Sequence, residues 1–474
     1  MPEPVVLPER RRLRGTIRPG GPDWVYLPVE VPDGVGELAV RYRYDRPPTP
    51  PGVPGNVLDI GVFDERGGGP DEPPAGPGMA GFRGWSGGAR DRFAISRSAA
   101  TPGYLPGPIG PGTWRVVLGP YTVAPQGVRW EVEVTLGEGP PGPAFVPDPA
   151  PERAAGRGRG WYRGDLHTHT VHSDGTRTPA ELAAAARAAG LDFVASTEHN
   201  TASANLDWER HAGPDLLVLD GQEVTTRDGH WLALGLGPGA VVDWRHRAAD
   251  GGLGRALAGL HDRIGLAVAA HPFCPFPGCG WAFGYQGLDA VEVWNGPWTP
   301  DDEAALGAWD RMLAAGRFLP AVGGSDAHGR DDRVGLPHNV VLADGLDRRS
   351  VLDGLAAGRC WLAGEAAVGL RLEATAAGRS AGIGERLAVP AGQQVTVRLQ
   401  VRGAAGCLAR LCQASGPVLE ARLGAGDPET VEWALPSHAG AWARAEVRRP
   451  PVAGGSPGAM VALTNPVWFG PAGS

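Results

Sequence analysis

The sequence predicts a parallel α/β unit set between two β-rich regions, and three observations carry that prediction. From Trp161 to about Ala363, apolar strand-like runs alternate with Ala-rich helical stretches, the pattern of βαβ units. Ahead of it, β-branched and aromatic runs are separated by Pro/Gly turns at near-regular spacing, which suggests a sandwich. Behind it, short β-like runs return. The expected division is 1–148 as an all-β, sandwich-like domain, 149–160 as linker, 161–365 as the α/β unit and 366–474 as a small β domain.

Taken in order, the first strands are "WVYLPVEV", "ELAVRYRYD", "NVLDIGVFD", "RFAISRS", "TWRVVLGPYTV" and "VRWEVEVTL". The stretch "GEGPPGPAFVPDPAPERAAGRGRG" has Pro, Gly and Arg without periodicity and reads as a linker. Central strands follow as "YRGDLHTH", "DFVASTEH", "LLVLDGQEV", "HWLALGL", "GLAVAAHP", "DAVEVWN", "FLPAVGGSD" and "NVVLA". The first helix is well signalled: Thr178 can N-cap, Pro179 takes the first helical position, Glu181 completes a capping box and Gly190 ends it. The last region offers "AVGLRLEAT", "QVTVRLQV", "ETVEWAL" and "AMVALTN".

Composition narrows the function. The length of 474 residues suits two or three domains, and the 74 Gly and 47 Pro are spread without a repeat, as turns. Net charge is −8, with no basic stripe, which argues against a nucleic-acid partner. All 44 basic residues are arginine, so a Walker A loop and lysine Schiff-base chemistry are excluded. No run of about 18 apolar residues exists to cross a membrane. "MPEPVVLPERRRLRG" lacks the apolar core of a signal peptide, and five cysteines without a CxxC pair fit a reducing compartment. The expectation is therefore a cytoplasmic protein whose cysteines are buried small hydrophobes, with Cys274 the one to watch because a histidine is near. A homo-oligomer is compatible with this reading.

Chemistry-bearing residues recur at strand ends. The first central strand ends in His167 and His169; strands alternate faces, so both imidazoles share one side. Asp174 follows in the loop, His199 ends the second strand, Glu223 ends the third and His230 opens the fourth. His271 ends the fifth, and Asp326 and His328 follow a later one. In a parallel barrel such ends meet at one face. Six histidines and three carboxylates there make a donor set suited to zinc, manganese or iron, too many for one ion and enough for two or three. Any one of these motifs alone could be structural, but coincidence would have to act at six strand ends, and eleven of the twelve histidines lie in this unit. His172 stands between ligands as a proton carrier or an exposed loop residue, while His211, His246, His261 and His338 read as structural or surface.

"GDLHTHTVHSDG", "STEHN", "GQEVTT", "GHWLALG", "AHPF", "DAVEVWNG" and "GGSDAH" resemble the successive motifs of the PHP (polymerase and histidinol phosphatase) superfamily, nearest to its CehA/McbA-like metallohydrolases. The resemblance covers the middle unit and extends to "FRGWSGGARDRFAIS" and "ATPGYLPGPIGPGTW". It implies a distorted (β/α)7 barrel with two or three divalent ions at one face. His167, His169, Glu223 and Asp326 would hold one ion, and Asp174, His199 and His328 a second. Glu223, His230 and His271 would hold a third. Such ions would lower the pKa of a bridging water toward neutrality and supply hydroxide. His199, His328, Asp326 and Arg177 are the expected catalytic residues. Arg330 and Arg333 would join Arg177 in gripping a phosphate, with Trp294 and Asn295 also contacting the substrate and Trp281 and Trp298 as further candidates for an apolar wall.

The expected activity is hydrolysis of a small phosphate ester; the alternative is a carboxyl or carbamate ester with an aromatic leaving group on the same metals. Two further readings compete. "GWSGG", with Ser86, matches G-x-S-x-G, but a strand follows where a nucleophile elbow needs a helix. A purely binding role would leave the metals structural, yet structural sites are usually closed and four-coordinate.

Overall fold

The computed structural model describes residues 8–67, 79–390, 393–436, 440–451 and 458–470. The expectation about a targeting segment falls partly on residues 1–7, outside the described residues. The first eight strands are β1 (Glu9–Ile17), β2 (Val25–Val31), β3 (Glu37–Tyr44), β4 (Val57–Phe63), β5 (Phe82–Gly87), β6 (Arg92–Ser96), β7 (Gly112–Thr122) and β8 (Val128–Gly137). They form two four-stranded antiparallel sheets, ordered β1-β8-β3-β6 and β2-β7-β4-β5. Alternation along β8 buries Trp130, Val132, Val134 and Leu136 against Trp114, Val116 and Leu118 of β7, so the two inner faces share one core.

The central unit holds β9 (Gly160–Asp165), α1 (Pro179–Ala188), β10 (Phe193–Ser196), α2 (Glu209–Ala212), β11 (Leu217–Thr225), β12 (His230–Leu234) and α3 (Gly252–His261). It continues with β13 (Leu266–Ala269), β14 (Ala290–Asn295), α4 (Pro300–Ala314), β15 (Ala321–Gly324), β16 (His338–Ala343), α5 (Arg348–Ala356) and β17 (Cys360–Ala363). Thr178 caps α1 in a capping box with Glu181, as its sequence requires. Strands β9, β10 and β11 are parallel, as are β13, β14 and β15.

A (β/α)7 barrel is not what the structure shows. Asp228-Gly229 turns β11 back into β12, which pairs antiparallel with both β11 and β13. Among the described residues there are five α-helices, and the chain between β13 and β14 carries a disulfide loop in place of one. The curl still brings its two ends together. Asp326 N donates to His167 O at 2.8 Å and His169 N to Ala327 O at 3.3 Å, joining the exits of β15 and β9. Gly324 permits this approach, since a Cβ there would collide with His167.

The remaining strands are β18 (Gly369–Ala376), β19 (Arg379–Gly382), β20 (Arg386–Ala388), β21 (Val395–Arg402), β22 (Leu408–Gln413), β23 (Gly416–Arg422), β24 (Glu429–Leu435), β25 (Trp442–Arg448), β26 (Met460–Thr464) and β27 (Val467–Gly470). Four of them make a sheet ordered β19-β18-β21-β24. Others extend the central sheet: β17 pairs with β26, then β25, β22 and β23. On β25, Arg444 and Arg448 are almost wholly buried around Glu446 and reach Asp310 and Glu303 of α4.

The cysteine expectation needs correcting. Cys274 and Cys279 form a disulfide, while Cys360, Cys407 and Cys412 are buried and free. Disulfides belong to oxidising surroundings, so cysteine usage gives no support to a cytoplasmic location. Among the described residues no helix is long and apolar enough to cross a membrane.

Candidate metal centre

Strand pleating sets the first two donors. Thr168 turns away and donates through Oγ1 to Ala195 O at 2.6 Å, which leaves His167 and His169 on the opposite face. His199 follows β10 and makes a parallel bridge to Glu223 in β11. Because β12 is reversed, His230 at its start lies at the end of the sheet where β11 and β13 exit. His271 and Asp326 lie just beyond β13 and β15, each with positive φ, at 24° and 48°. Such backbone is costly outside glycine and persists where surrounding bonds enforce it.

His167 Nε2 lies 3.2 Å from Glu223 Oε2 and 3.3 Å from Asp326 Oδ1; His169 Nε2 lies 3.3 and 3.0 Å from the same two oxygens. All four atoms are buried, yet none makes a hydrogen bond. Buried polar atoms in contact but not bonded to one another are aimed at something between them. A regular tetrahedron with edges of that length has its centre about 2.0 Å from each corner, the length of a Zn–N or Zn–O bond. The donor set therefore fits a divalent ion.

Two further groups adjoin it. Asp174, His199 and His328 gather beside His169, with Asp174 Oδ1 at 3.5 and 3.3 Å from the two Nε2 atoms. On the other flank, Glu223 Oε1 lies 2.9 Å from His230 Nδ1 and 3.0 Å from His271 Nε2. Cys279 Sγ stands 3.4 Å from His271 Nδ1, but its disulfide leaves no thiolate to bind an ion. Burial opposes charge here, and mutual attraction overrides it at Glu223, Asp326, His167, His199, His271 and His328, whereas burial prevails at His230. The imidazoles of His199, His167 and His230 hold Glu223 well below the usual carboxylate range. Glu223 and Asp174 raise His199 to about 10, and Asp174 and Asp326 raise His328 to about 9, against the pull of burial. Without a cation His199 and His328 keep their protons at neutral pH; divalent ions would take their place.

The nine expected ligands thus meet in three adjoining groups. The expected substrate residues fare unevenly. Arg177 is buried and donates to the carbonyls of Gly329, Arg330 and Asp332, so its guanidinium clasps the 328–333 loop instead of facing a substrate. Arg330 is exposed and paired with Glu181 at 2.7 Å. Trp294 is a core residue that donates to Gly296 O. Trp298 packs on Trp294, and Trp281 on Phe283. Asn295 and Arg333 do line the cavity of about 600 Å³ that opens over His199, His271, Asp326 and His328. His172 bonds Ser203 Oγ at 2.8 Å and belongs to none of the donor groups. Ser86 Oγ meets Tyr104 Oη at 2.9 Å, not an imidazole, and the strand β6 follows.

Supporting residues went unrecognised in the sequence. Glu292 accepts from His167 Nδ1 at 3.1 Å, His271 N at 2.8 Å and Asn295 Nδ2 at 3.0 Å. Glu198 takes Thr170 N at 3.0 Å and Ser173 Oγ, and that hydroxyl lies 3.3 Å from His169 Nδ1. Their signal was a carboxylate inside an apolar strand run, "VEVW" and "ASTEH". Arg90, from the β5–β6 turn, donates to Val171 O and to Ser173 O at 2.8 Å, so the first sandwich braces the ligand loop.

No protein-family model matches the chain. An uncharacterized protein of Methanocaldococcus jannaschii is 26% identical over 156 residues, spanning 28% of this chain and 81% of its own. A two-domain protein of Bacteroides vulgatus containing a predicted PHP-like metal-dependent phosphoesterase aligns over 69% of this chain and 100% of its own, at 16% identity and TM-score 0.36. An amidohydrolase of Chromobacterium violaceum aligns over 36% of this chain and 89% of its own, at 20% identity and TM-score 0.29. At such identities and TM-scores these likenesses establish neither family nor activity.

Proposed function

We propose that the chain is a metal-dependent hydrolase of the PHP superfamily that cleaves small phosphate esters. One observation carries the reading: four buried, unbonded donor atoms of His167, His169, Glu223 and Asp326 surround a point at metal–ligand distance, with two more donor groups alongside. When bound, two or three divalent ions would acidify water and neutralise both the anionic ester and the charge that develops on it.

The chain's own residues supply the rest. Glu292 orients His167, and Thr225 Oγ1, 2.7 Å from His199 Nδ1, fixes that ring. Asn295 and Arg333 are the groups assigned to phosphate oxygens, while His199 and His328, with Nδ1 engaged by Thr225 Oγ1 and Asp326 O, would hold ions through Nε2. A second reading, hydrolysis of an aryl carboxyl or carbamate ester, is favoured by a second, aromatic-walled cavity beside His199 and by the engagement of Arg177 and Arg330 elsewhere.

Metal analysis of protein purified with zinc or manganese supplied, alongside assays of p-nitrophenyl phosphate, a phosphodiester and a naphthyl carbamate, tests both. The expected result is at least one bound equivalent, lost in His167→Ala, with metal-dependent release of phosphate. Less than one equivalent, or no metal-dependent turnover of any substrate, refutes the reading.

A further inference from the structure

Where the amino-terminal sandwich meets the metal centre there is a second cavity, of about 230 Å³. Trp24, Trp85, Tyr121 and Trp244 wall it, and His199, His230 and Asp174 border it. Three of these side chains pack on one another as one aromatic wall: Trp85 lies 4.9 Å from Trp244 and 5.7 Å from Trp24, with tilted or edge-on rings. The volume falls below the roughly 300–1,000 Å³ of a site for a drug-sized ligand. It suits one ring. Flat, apolar walls around a space of that size favour an aromatic group over a flexible chain.

The cavity also has a polar end. Arg227, in the turn between β11 and β12, carries its guanidinium 5.1 Å from the Trp24 ring and 5.5 Å from Tyr121. Its side chain is 10% exposed, and its Asp23 carboxylate neighbour stands 3.8 Å away. Nη2 donates to Asp23 O at 3.3 Å, while Nε, the atom facing that carboxylate, makes no hydrogen bond. The Asp23 carboxylate offsets the charge, yet one long hydrogen bond leaves most of the five donors of this nearly buried guanidinium open to a ligand. Asp59 reaches the same space and makes no hydrogen bond or ion pair among the described residues; burial pushes its carboxyl up to about 7.

We infer that this junction cavity is a substrate subsite for a single aromatic ring bearing an anionic substituent, held by Arg227. Resting on the hydrolase reading above, the substrate class becomes an aryl ester whose ring is a carboxylate-substituted phenol. The ring lies against the indole wall, the substituent meets the guanidinium, and the ester group lies toward His199. The sandwich thereby selects the substrate on which the central unit acts.

The test needs no turnover. Binding of 4-hydroxybenzoate, phenol and cyclohexanecarboxylate to the zinc-supplied full-length protein is followed by calorimetry and by quenching of tryptophan fluorescence. 4-Hydroxybenzoate is expected to bind at least tenfold more tightly than either. Arg227→Met should weaken it at least tenfold and phenol less than twofold. Trp24→Leu, at the half-exposed rim, should weaken both aromatic ligands, and thermal melts establish that each variant folds. Unchanged affinity in both folded variants overturns the proposal. So does binding that His167→Ala abolishes and Arg227→Met leaves intact, because the carboxylate would then sit on the metals. Ring binding that depends on Arg227, without cleavage of any ester, upholds the subsite and fails the hydrolase reading.

Discussion

Glu292→Gln offers a sharp probe of the metal centre, because Glu292 touches no expected ion position yet controls several ligands. Its two oxygens accept from three donors: His167 Nδ1 at 3.1 Å, His271 N at 2.8 Å and Asn295 Nδ2 at 3.0 Å. A carboxylate accepts all three; an amide must turn its NH₂ toward at least one of them. Facing the Oε2 partners, that NH₂ would oppose two donors. Facing His167 it opposes one, so this orientation wins. The His167 proton must then leave Nδ1 for Nε2, the atom directed at Glu223 and Asp326. Ligand lone pair and proton compete for one nitrogen, and the ring loses its anchor. Partners that orient metal-bound histidines are worth about 10–100-fold in affinity, or about 1.4–2.7 kcal/mol. Competition titration of zinc against a chromophoric chelator should show a loss in that range for the tightest site, with a far-ultraviolet spectrum unchanged. Zinc affinity within twofold of the parent protein would refute the reasoning.

Other perturbations test separate parts of the molecule. Glu446→Gln leaves Arg444 and Arg448 buried without their shared carboxylate, and should destabilise the protein by about 3–5 kcal/mol in urea unfolding; a change under about 1 kcal/mol would refute this. Burial lowers His338 to about 4, so its neutral form contributes stability fully present above about pH 6.5 and lost as pH falls toward 4. His338→Gln should therefore flatten the fall in melting temperature over that window, and parallel curves for the two proteins would count against it. Ser86→Ala should keep metal-dependent turnover, since Oγ is engaged by Tyr104; a loss beyond tenfold would revive a serine nucleophile.

What could be read from the sequence was periodic or local. The two-residue spacing of His167 and His169, the capping box at Thr178 and the strand-end carboxylates each encode a direction within one element. Direction across elements was not legible. Arg177 stands near the ligand loop in sequence, but its guanidinium turns to the carbonyls of 329–332, which no local pattern reports. Trp294 ends a strand yet points into the core, because the curl of the sheet decides which side of β14 faces the cavity. The hairpin at Asp228-Gly229 did carry a signal, a turn dipeptide between apolar runs, and weighing it would have argued against a purely parallel barrel. Glu292 was hidden for the opposite reason: one carboxylate in "VEVW" looks like noise until its three donors from other strands are assembled.

The pairing of β17 with β26 has a consequence for synthesis. β17 ends at Ala363, and the strand that covers it begins at Met460. At about 5–20 residues per second, the ribosome takes on the order of 5–20 s to deliver that partner. Throughout that interval the metal-bearing sheet has an unpaired border of apolar residues, Trp361 and Leu362 among them, open to any other strand. A nascent chain stalled in that window would be an aggregation hazard with its ligand set already complete, so chaperone demand should track the codons between Ala363 and Met460 and not the catalytic ones.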